Sequence, residues 1–294
     1  HAVAIGVFDG VHRGHRAVFA TLEDAAGGRP LVAMTFSDHP DAVVSGGPPP
    51  PALTTLDRRL ALFEEIGIDV TAIIEFDHDT MRLAPEEFVD RYLVTGLHAT
   101  VVAVGAGFRF GHGAAGTVDT LRILGAERGF SILATPSAGI HGTEVRSSTI
   151  RAAIASGGVE LAARMLGRPF EIAGEVVPGD RRGRSIGYPT ANVSVPEGFV
   201  RPAGGVYAVR CVVDGSAYAG VCNVGTRPTF GGGPEMIEVH LLDAEVDLYG
   251  RTVLVQFVDR IRNEQRFTSV DALVVQIAAD IERARLVLEP AAEA

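Results

Sequence analysis

Two stretches of the chain concentrate side chains suited to phosphate chemistry. The first is Gly6-Val7-Phe8-Asp9-Gly10-Val11-His12-Arg13-Gly14-His15, at the end of a short apolar run. Glycine lets a chain turn tightly off a strand, and a helix starting near Gly14 would aim its free N–H groups at an anion. His12 and His15 are three residues apart, so one helical turn sets both imidazoles on the side of those N–H groups. Phosphate is the expected guest, because nucleotidyl transfer needs hydrogen-bond donors placed around the α-phosphate more than it needs covalent help. The tetrapeptide His-Arg-Gly-His taken alone also suits a Gly-rich turn with two incidental histidines.

The second stretch is Gly179-Asp180-Arg181-Arg182-Gly183-Arg184-Ser185-Ile186-Gly187-Tyr188-Pro189-Thr190-Ala191-Asn192. Pro189 pushes Tyr188 towards an extended conformation, and an extended Thr190-Ala191-Asn192 turns Thr190 and Asn192 to one side. Two uncharged oxygens then face one point, which suits a hydrated Mg²⁺ shared with nucleotide phosphates. The preceding Gly and Arg residues could wrap those phosphates or form a solvated loop. Further on, the β period of Ile237-Glu238-Val239-His240-Leu241 puts Glu238 and His240 on one face. Glu238 is a candidate base for an alcohol attacking a γ-phosphate, although a lone Glu on a strand commonly just marks its solvent face.

The elements that must carry these residues differ between the two halves. Val3–Phe8, Leu31–Phe36, Val70–Phe76, Thr100–Val104 and Phe130–Ala134 read as strands. Helical stretches fall between them, among them Leu56–Ile66 after capping threonines and Pro85–Val94 with Pro at its first turn. Alternation of this kind predicts a doubly wound parallel sheet with ligands at the carboxyl ends of its strands. After a helical stretch from Thr149 to Leu166 the pattern changes to short strands punctuated by Gly, Pro and Asp: Glu171–Val177, Gly205–Val213, Ala217–Val224, Met236–Leu242 and Thr252–Val258. These predict an antiparallel barrel or sandwich, closed by a helix that Ser269 caps and in which Leu273, Ile277 and Ile281 recur every four residues. The junction is expected at Gly167–Pro169, which divides the chain into 1–166 and 167–294.

Composition narrows the options. The 294 residues are 47% hydrophobic and 21% charged, as in ordinary globular proteins, and enough for two domains. No apolar run approaches the ~20 residues of a membrane span. A formal charge of −10 argues against broad nucleic-acid binding, so phosphate recognition should be local. Cys211 and Cys222, the two cysteines, lie in apolar β-like runs and are expected to be buried, unbridged thiols of a reducing compartment.

The first decapeptide resembles the signature of the bacterial bifunctional riboflavin kinase and FMN adenylyltransferase (FAD synthetase) family, within the wider group of HxGH nucleotidyltransferases. Similar blocks follow in order: Thr35-Phe36-Ser37-Asp38-His39-Pro40, Val104-Gly105-Ala106-Gly107-Phe108-Arg109-Phe110-Gly111 and Val145-Arg146-Ser147-Ser148-Thr149-Ile150-Arg151. The second half follows the flavokinase pattern through Pro-Thr-Ala-Asn, Gly205-Val206-Tyr207-Ala208, Asn223-Val224-Gly225-Thr226-Arg227-Pro228-Thr229, Glu238–Asp243, Asp247-Leu248-Tyr249-Gly250 and Arg262-Asn263-Glu264-Gln265-Arg266-Phe267.

The resemblance implies an HxGH-type α/β domain over 1–166 and a β-barrel kinase domain with a C-terminal helix over 167–294. It implies transfer of AMP from ATP to FMN, giving FAD and pyrophosphate, in the first, and ATP-dependent phosphorylation of riboflavin to FMN in the second. By the same resemblance Gly6, Phe8, Asp9, Gly10, His12, His15, Ser147, Ser148 and Arg151 bind nucleotide in the first site, with Phe108 and Arg109 on the flavin. In the second, Gly179, Arg184, Gly187, Thr190 and Asn192 bind nucleotide, Thr190 and Asn192 also hold Mg²⁺, and Glu238 is the base. Arg262, Glu264 and Phe267 belong to the flavin-side loop. The expected partners are small molecules, with neither nucleic acid nor membrane, in the cytoplasm; a homo-oligomer is left open.

The sequence departs from the family pattern at three positions. Asp38 stands where proline is usual, Arg146 replaces the first serine of its block, and Gly107 stands where Asp or Asn is usual. The last motivates an alternative, a riboflavin kinase with a weak or inactive adenylyltransferase domain. A flavin-binding regulator without turnover leaves the set Thr190, Asn192 and Glu238 without purpose, and a different phosphate acceptor sits poorly with the flavokinase pattern.

Overall fold

The structure is a computed structural model that describes residues 1–140, 142–179, 182–226, 235–244 and 246–289. Asp180, Arg181 and the segment Arg227-Pro228-Thr229 of the motifs above lie outside the described residues. The chain divides into two compact units, His1–Thr149 and Ile150–Ala294.

The first unit is built on five parallel strands, β1 (Ala2–Ile5), β2 (Leu31–Phe36), β3 (Val70–Ile74), β4 (Val101–Gly105) and β5 (Ser131–Thr135), in the order β3-β2-β1-β4-β5. β1 pairs with both β2 and β4, so the strand order reverses between β1 and β4. In open α/β sheets that point leaves a crevice at the carboxyl ends of the two strands, where ligands bind. The Gly6–His15 loop leaves β1 there, and the Gly105–Phe110 loop leaves β4.

Helices α1 (Arg13–Ala26), α2 (Pro40–Ser45), α3 (Leu56–Glu65), α4 (His78–Arg82), α5 (Pro85–Phe88) and α6 (Val118–Arg128) connect the strands. Ala2, Ala4, Val18, Phe19, Leu22, Leu62 and Phe63 bury one face of the sheet, and Val3, Ile5, Phe88, Leu93 and Leu121 the other. A two-strand ribbon, β6 (Gly139–Ile140) with β7 (Thr143–Glu144), precedes α7 (Ser147–Ala155).

Several sequence expectations change at their edges, among them Val70–Phe76, which ends at Ile74, and Thr252–Val258, which runs on to Asn263. β1 stops at Ile5 because Phe8, at φ 54°, already turns the chain out of the strand. The helix expected over Pro85–Val94 is α-helical only to Phe88 and continues as a wider π-helix over Val89–Gly96, with Leu97 N–H donating to Tyr92. The helix expected from Thr149 to Leu166 is two: α7 ends at Ala155, Gly157 takes φ 86°, and α8 (Val159–Leu166) starts afresh. A Cβ on Gly157 would lie 2.6 Å from the Arg260 guanidinium, so glycine serves both the turn and the packing.

In the second unit β8 (Phe170–Val177), β9 (Ala191–Ser194), β10 (Gly205–Val213), β11 (Ser216–Thr226), β12 (Glu235–Leu241) and β13 (Thr252–Asn263) close a barrel in the order β10-β11-β12-β9-β8-β13. A short helix, α9 (Arg182–Ser185), lies between β8 and β9, and α10 (Val270–Leu288) follows β13. Residues alternate along each strand, so Tyr207, Val209, Cys211, Cys222, Val224, Ile237 and Val239 are buried. Both cysteines are free and buried, and burial pushes the Cys211 thiol up to about 11 and Cys222 higher still. Among the described residues no helix is long and apolar enough to cross a membrane.

Candidate active sites

The loop leaving β1 is held by a carboxylate strut. Asp9, 6% exposed, accepts from Leu53 N at 3.0 Å and Thr54 N at 3.1 Å, while Gly10 N donates to Thr54 Oγ1 at 3.1 Å. Asp9 thus positions the loop from beneath. Phe8 is also turned inward: its ring meets His15 edge-on at 5.2 Å and packs on Phe19 and Phe63. Phe8 and Val11 adopt positive φ (54° and 39°) without being glycine, and backbone strain of this kind gathers where structure serves a ligand.

His12 caps α1, its Nδ1 accepting from His15 N at 3.2 Å. The two imidazoles stack, with centroids 3.5 Å apart and planes 18° from parallel. A Cβ on Gly14 would lie 3.0 Å from His12 Cε1, so this glycine gives the His12 ring its seat. Burial, then His12 and then Arg59, lowers the His15 pKa well below the ordinary 6.5, which keeps the imidazole neutral. His15 Nδ1 is buried with no hydrogen-bond partner among the described residues. Buried nitrogens normally have partners, and one left bare beside a helix mouth suits a ligand oxygen.

α7 completes this mouth. Ser147 Oγ donates to Asp9 O at 2.9 Å, and Val145 O would lie 3.4 Å from a Cβ at Gly14. The N-terminus of α7, with Ser147 and Ser148, therefore adjoins that of α1, and Arg151 lies one turn further along. Phe108 stacks on Phe110 at 5.6 Å, and Arg109 is exposed on the β4 loop. Gly6, whose Cβ would meet the Phe8 ring at 2.9 Å, starts the turn.

Sequence reasoning missed Arg59. Its guanidinium is buried, donating to Val7 O at 2.5 Å and Thr35 Oγ1 at 3.2 Å under the same loop. Arg59 shares the buried face of α3 with Leu62 and Phe63, so a cation at i with apolar residues at i+3 and i+4 was the available signal.

In the barrel, cross-strand register assembles the second site. Asn192 on β9 stands opposite Glu238 on β12, which stands opposite Asn223 on β11. The row continues through Val206 on β10 to Arg262 on β13. Directly paired residues project to the same side of a sheet. Asn223, not singled out from the sequence, enters the site through its register with Glu238.

Val206, Asn223, Glu238 and Arg262 of this row line one of two cavities in the barrel unit, no residue of the row lines the second, and Asn192 lines neither. One, of about 370 Å³, is lined by Tyr188, Thr190, Asn223, Glu238, Arg262, Glu264, Phe267, Leu273 and Ile277. The other, of about 910 Å³, is lined by Arg184, Gly187, Pro189, Thr190, Asp247 and Tyr249. Thr190 and His240 line both.

Asn192 is 6% exposed, and its Oδ1 has no hydrogen-bond partner among the described residues. A Cβ on Gly179 would lie 2.1 Å from Asn192 Nδ2, so Gly179 makes room for that amide. The unpartnered Asn192 Oδ1 and, two residues before it, the Thr190 hydroxyl are uncharged oxygens of the kind an oxygen-seeking cation takes alongside water and phosphate. Among the described residues no cluster of three His, Cys, Asp or Glu could hold a metal ion.

Arg262 points elsewhere within its cavity wall. Its guanidinium forks onto Asp280, itself 3% exposed, at 2.8 to 3.0 Å and lies over the Phe267 ring at 5.7 Å. It therefore fastens α10 to β13 beside the cavity. Glu264 lies over Gly204 and Gly225, whose Cβ atoms would meet its carboxylate at 2.9 and 2.3 Å.

Comparison with known proteins agrees with this division. The riboflavin kinase family model matches residues 166–288 and the FAD synthetase family model residues 1–149. A bifunctional riboflavin kinase/FMN adenylyltransferase of Escherichia coli K12 is 42% identical over 96% of this chain and 91% of its own length. The protein of the same description from Bacillus subtilis is 37% identical over 96% and 90%. A crystal structure described as a macrolide-efflux protein from Streptococcus pneumoniae superposes with a TM-score of 0.88 at 32% identity, covering 97% of this chain and 93% of its own. A parallel sheet with an HxGH helix mouth, a six-stranded barrel with its carboxylate row, and matches spanning both halves place this chain in the family of bifunctional riboflavin kinases and FMN adenylyltransferases.

Proposed function

We propose that the chain makes FAD in two ATP-dependent steps at two separate sites, and assign the residues as follows. In the barrel, ATP lies in the larger cavity along Gly179, Arg184 and Gly187, and riboflavin in the smaller one. Glu238 accepts the proton of the ribityl hydroxyl as its oxygen attacks the γ-phosphorus; the new P–O bond replaces the bond to ADP. Thr190 and Asn192 hold Mg²⁺, which offsets the phosphate charge when bound. Glu264 and Phe267 contact the flavin, and Arg262 holds the wall behind it.

In the first unit ATP lies over the Gly6–Gly10 loop with its phosphates between the N-termini of α1 and α7. The FMN phosphate oxygen attacks the α-phosphorus and pyrophosphate leaves. His12, His15, Ser147, Ser148 and Arg151 receive the charge that builds on the phosphate oxygens, and neutral His15 serves as a donor rather than a titrating base. Phe108 and Arg109 flank the flavin. The junction lies at Gly167–Pro169, between an adenylyltransferase region 1–166 and a kinase region 167–294, and the reduced, buried thiols suit a cytoplasmic enzyme.

The observation that carries this reading is the register that sets Glu238 between Asn192 and Asn223, with Glu238, Asn223 and Thr190 lining one cavity and Thr190 reaching a second. The test is incubation with riboflavin, ATP and Mg²⁺ and chromatography of riboflavin, FMN and FAD. Glu238→Ala should abolish FMN formation and spare FMN-to-FAD conversion, and His15→Ala should do the reverse. Loss of both activities in either folded variant would refute separate sites.

A further inference from the structure

His240 stands two residues beyond Glu238 on the same face of β12, and its side chain lines both barrel cavities. Its Nδ1 lies 2.8 Å from Pro189 O. A carbonyl only accepts, so Nδ1 carries the hydrogen of this bond, and the tautomer is set by the backbone. The peptide that receives it joins Pro189 to Thr190.

Gly183 and its neighbours approach the Tyr188-Pro189-Thr190 segment from the loop side, with Thr190 Oγ1 3.4 Å from where a Cβ on Gly183 would stand. Tyr188 N donates to Gly183 O at 2.8 Å, and Gly183 lies close under Tyr188 O, where a Cβ would stand 2.2 Å away. The proline ring fixes φ of residue 189 but leaves its ψ to be chosen. That ψ decides where Thr190 sits. The imidazole restrains that peptide from the β12 side, and its ring is itself steadied edge-on by Tyr188 at 5.6 Å.

We propose that His240 is a positioning residue for phosphoryl transfer: by bonding the Pro189 carbonyl it sets the Thr190 hydroxyl towards the metal-bound nucleotide. The inference rests on the assignment of Thr190 as a metal ligand. Partners of metal ligands commonly change affinity or rate by about 10–100-fold when removed, and an effect of that size is expected here.

The two ring nitrogens are separable by substitution. Asn places an amide N–H near the position of Nδ1, whereas Gln reaches towards that of Nε2. In the full chain, the kinase rate is measured against Mg²⁺ at fixed ATP and saturating riboflavin for His240→Leu, His240→Asn, His240→Gln and Thr190→Val. KM for riboflavin and conversion of FMN to FAD are followed alongside, the latter reporting that the chain is folded, and the dissociation constant of ADP with Mg²⁺, measured by titration calorimetry without turnover, is expected to rise in His240→Leu and Thr190→Val.

His240→Leu and Thr190→Val are expected to raise the half-saturating Mg²⁺ concentration or lower kcat by about 10–100-fold, with KM for riboflavin within about threefold. His240→Asn is expected to recover most of that loss and His240→Gln little of it. Recovery by Gln and not Asn would overturn positioning through Pro189, because Nε2 would then be the working atom. A Thr190→Val effect without a His240→Leu effect would overturn the inference and leave the metal assignment standing. No effect of Thr190→Val would overturn the metal assignment itself.

Discussion

Replacing Gly14 with alanine should separate chemistry from folding in the adenylyltransferase site. The new Cβ would stand 3.0 Å from His12 Cε1 and 3.1 Å from His12 Nδ1, against an ordinary contact of 3.4 to 4 Å. Its third neighbour, Val145 O at 3.4 Å, needs no movement, so relief comes from shifting the His12 ring by several tenths of an ångström. That shift acts on the 3.2 Å bond from His15 N and on the 3.5 Å ring stack together. Losing the cap costs about 1 kcal/mol, and alanine in place of glycine in a helix returns about 0.5–1 kcal/mol, so net stability should barely change. Misplacing a catalytic group by about 1 Å can cost ~100-fold in rate, which sets an expectation of about 10–100-fold in kcat for FAD formation from FMN. The assay is initial-rate conversion of FMN and ATP to FAD, with riboflavin phosphorylation and thermal unfolding as controls. Adenylylation within twofold of the parent, in a protein of unchanged stability, would refute the argument that Gly14 exists to seat His12.

Gly179→Ala should do the same in the barrel: its Cβ would fall 2.1 Å from Asn192 Nδ2 and drive the amide off its position. Kinase turnover should drop by about 100-fold with FMN adenylylation intact, a result read from the two separate assays. Nothing lies within 4 Å of a Cβ on Gly107, so Gly107→Asn restores a polar side chain at the β4 loop without a clash; adenylyltransferase kcat/KM should rise several-fold, and an unchanged value would show that position to be idle. Because burial lowers the His15 pKa, the folded state resists a proton that the unfolded chain takes up below about 6.5. Stability of the first unit should therefore fall as pH drops from 7 to 5, and His15→Gln should flatten that slope in denaturant titrations at each pH.

Both candidate sites stood out in the sequence as residue patterns, less so as geometry. The HxGH spacing, the Pro-Thr-Ala-Asn run and the alternation around Glu238 are local patterns, and local periodicity is what a sequence displays most directly. Closure of the barrel was expected as one of two antiparallel packings and followed from the family resemblance; β9 was visible only as the extended Thr190-Ala191-Asn192. What stayed hidden was long-range. Asp9 was read as a nucleotide-binding residue, and nothing in the decapeptide announces that its carboxylate also accepts from Leu53 and Thr54. Arg262 was read as a flavin-side residue, and its fork onto Asp280 stayed hidden because Asp280 lies on another element. Arg59 was one of two adjacent arginines, Arg58 reaching Glu65 on the exposed side of α3 and Arg59 the core, and only helical phase tells them apart.

The Asp9 strut carries a consequence for the order of assembly. Its two ends are 44 residues apart, so the loop cannot be clamped until the intervening strand and two helices have come home. Closing such a span is an entropic cost met before the contact returns anything. A growing chain that has delivered all ten residues of the signature, but not yet Leu53 and Thr54, holds the letters of the site without its shape. The loop's clamped form is then a property the first unit acquires late rather than a nucleus around which it gathers.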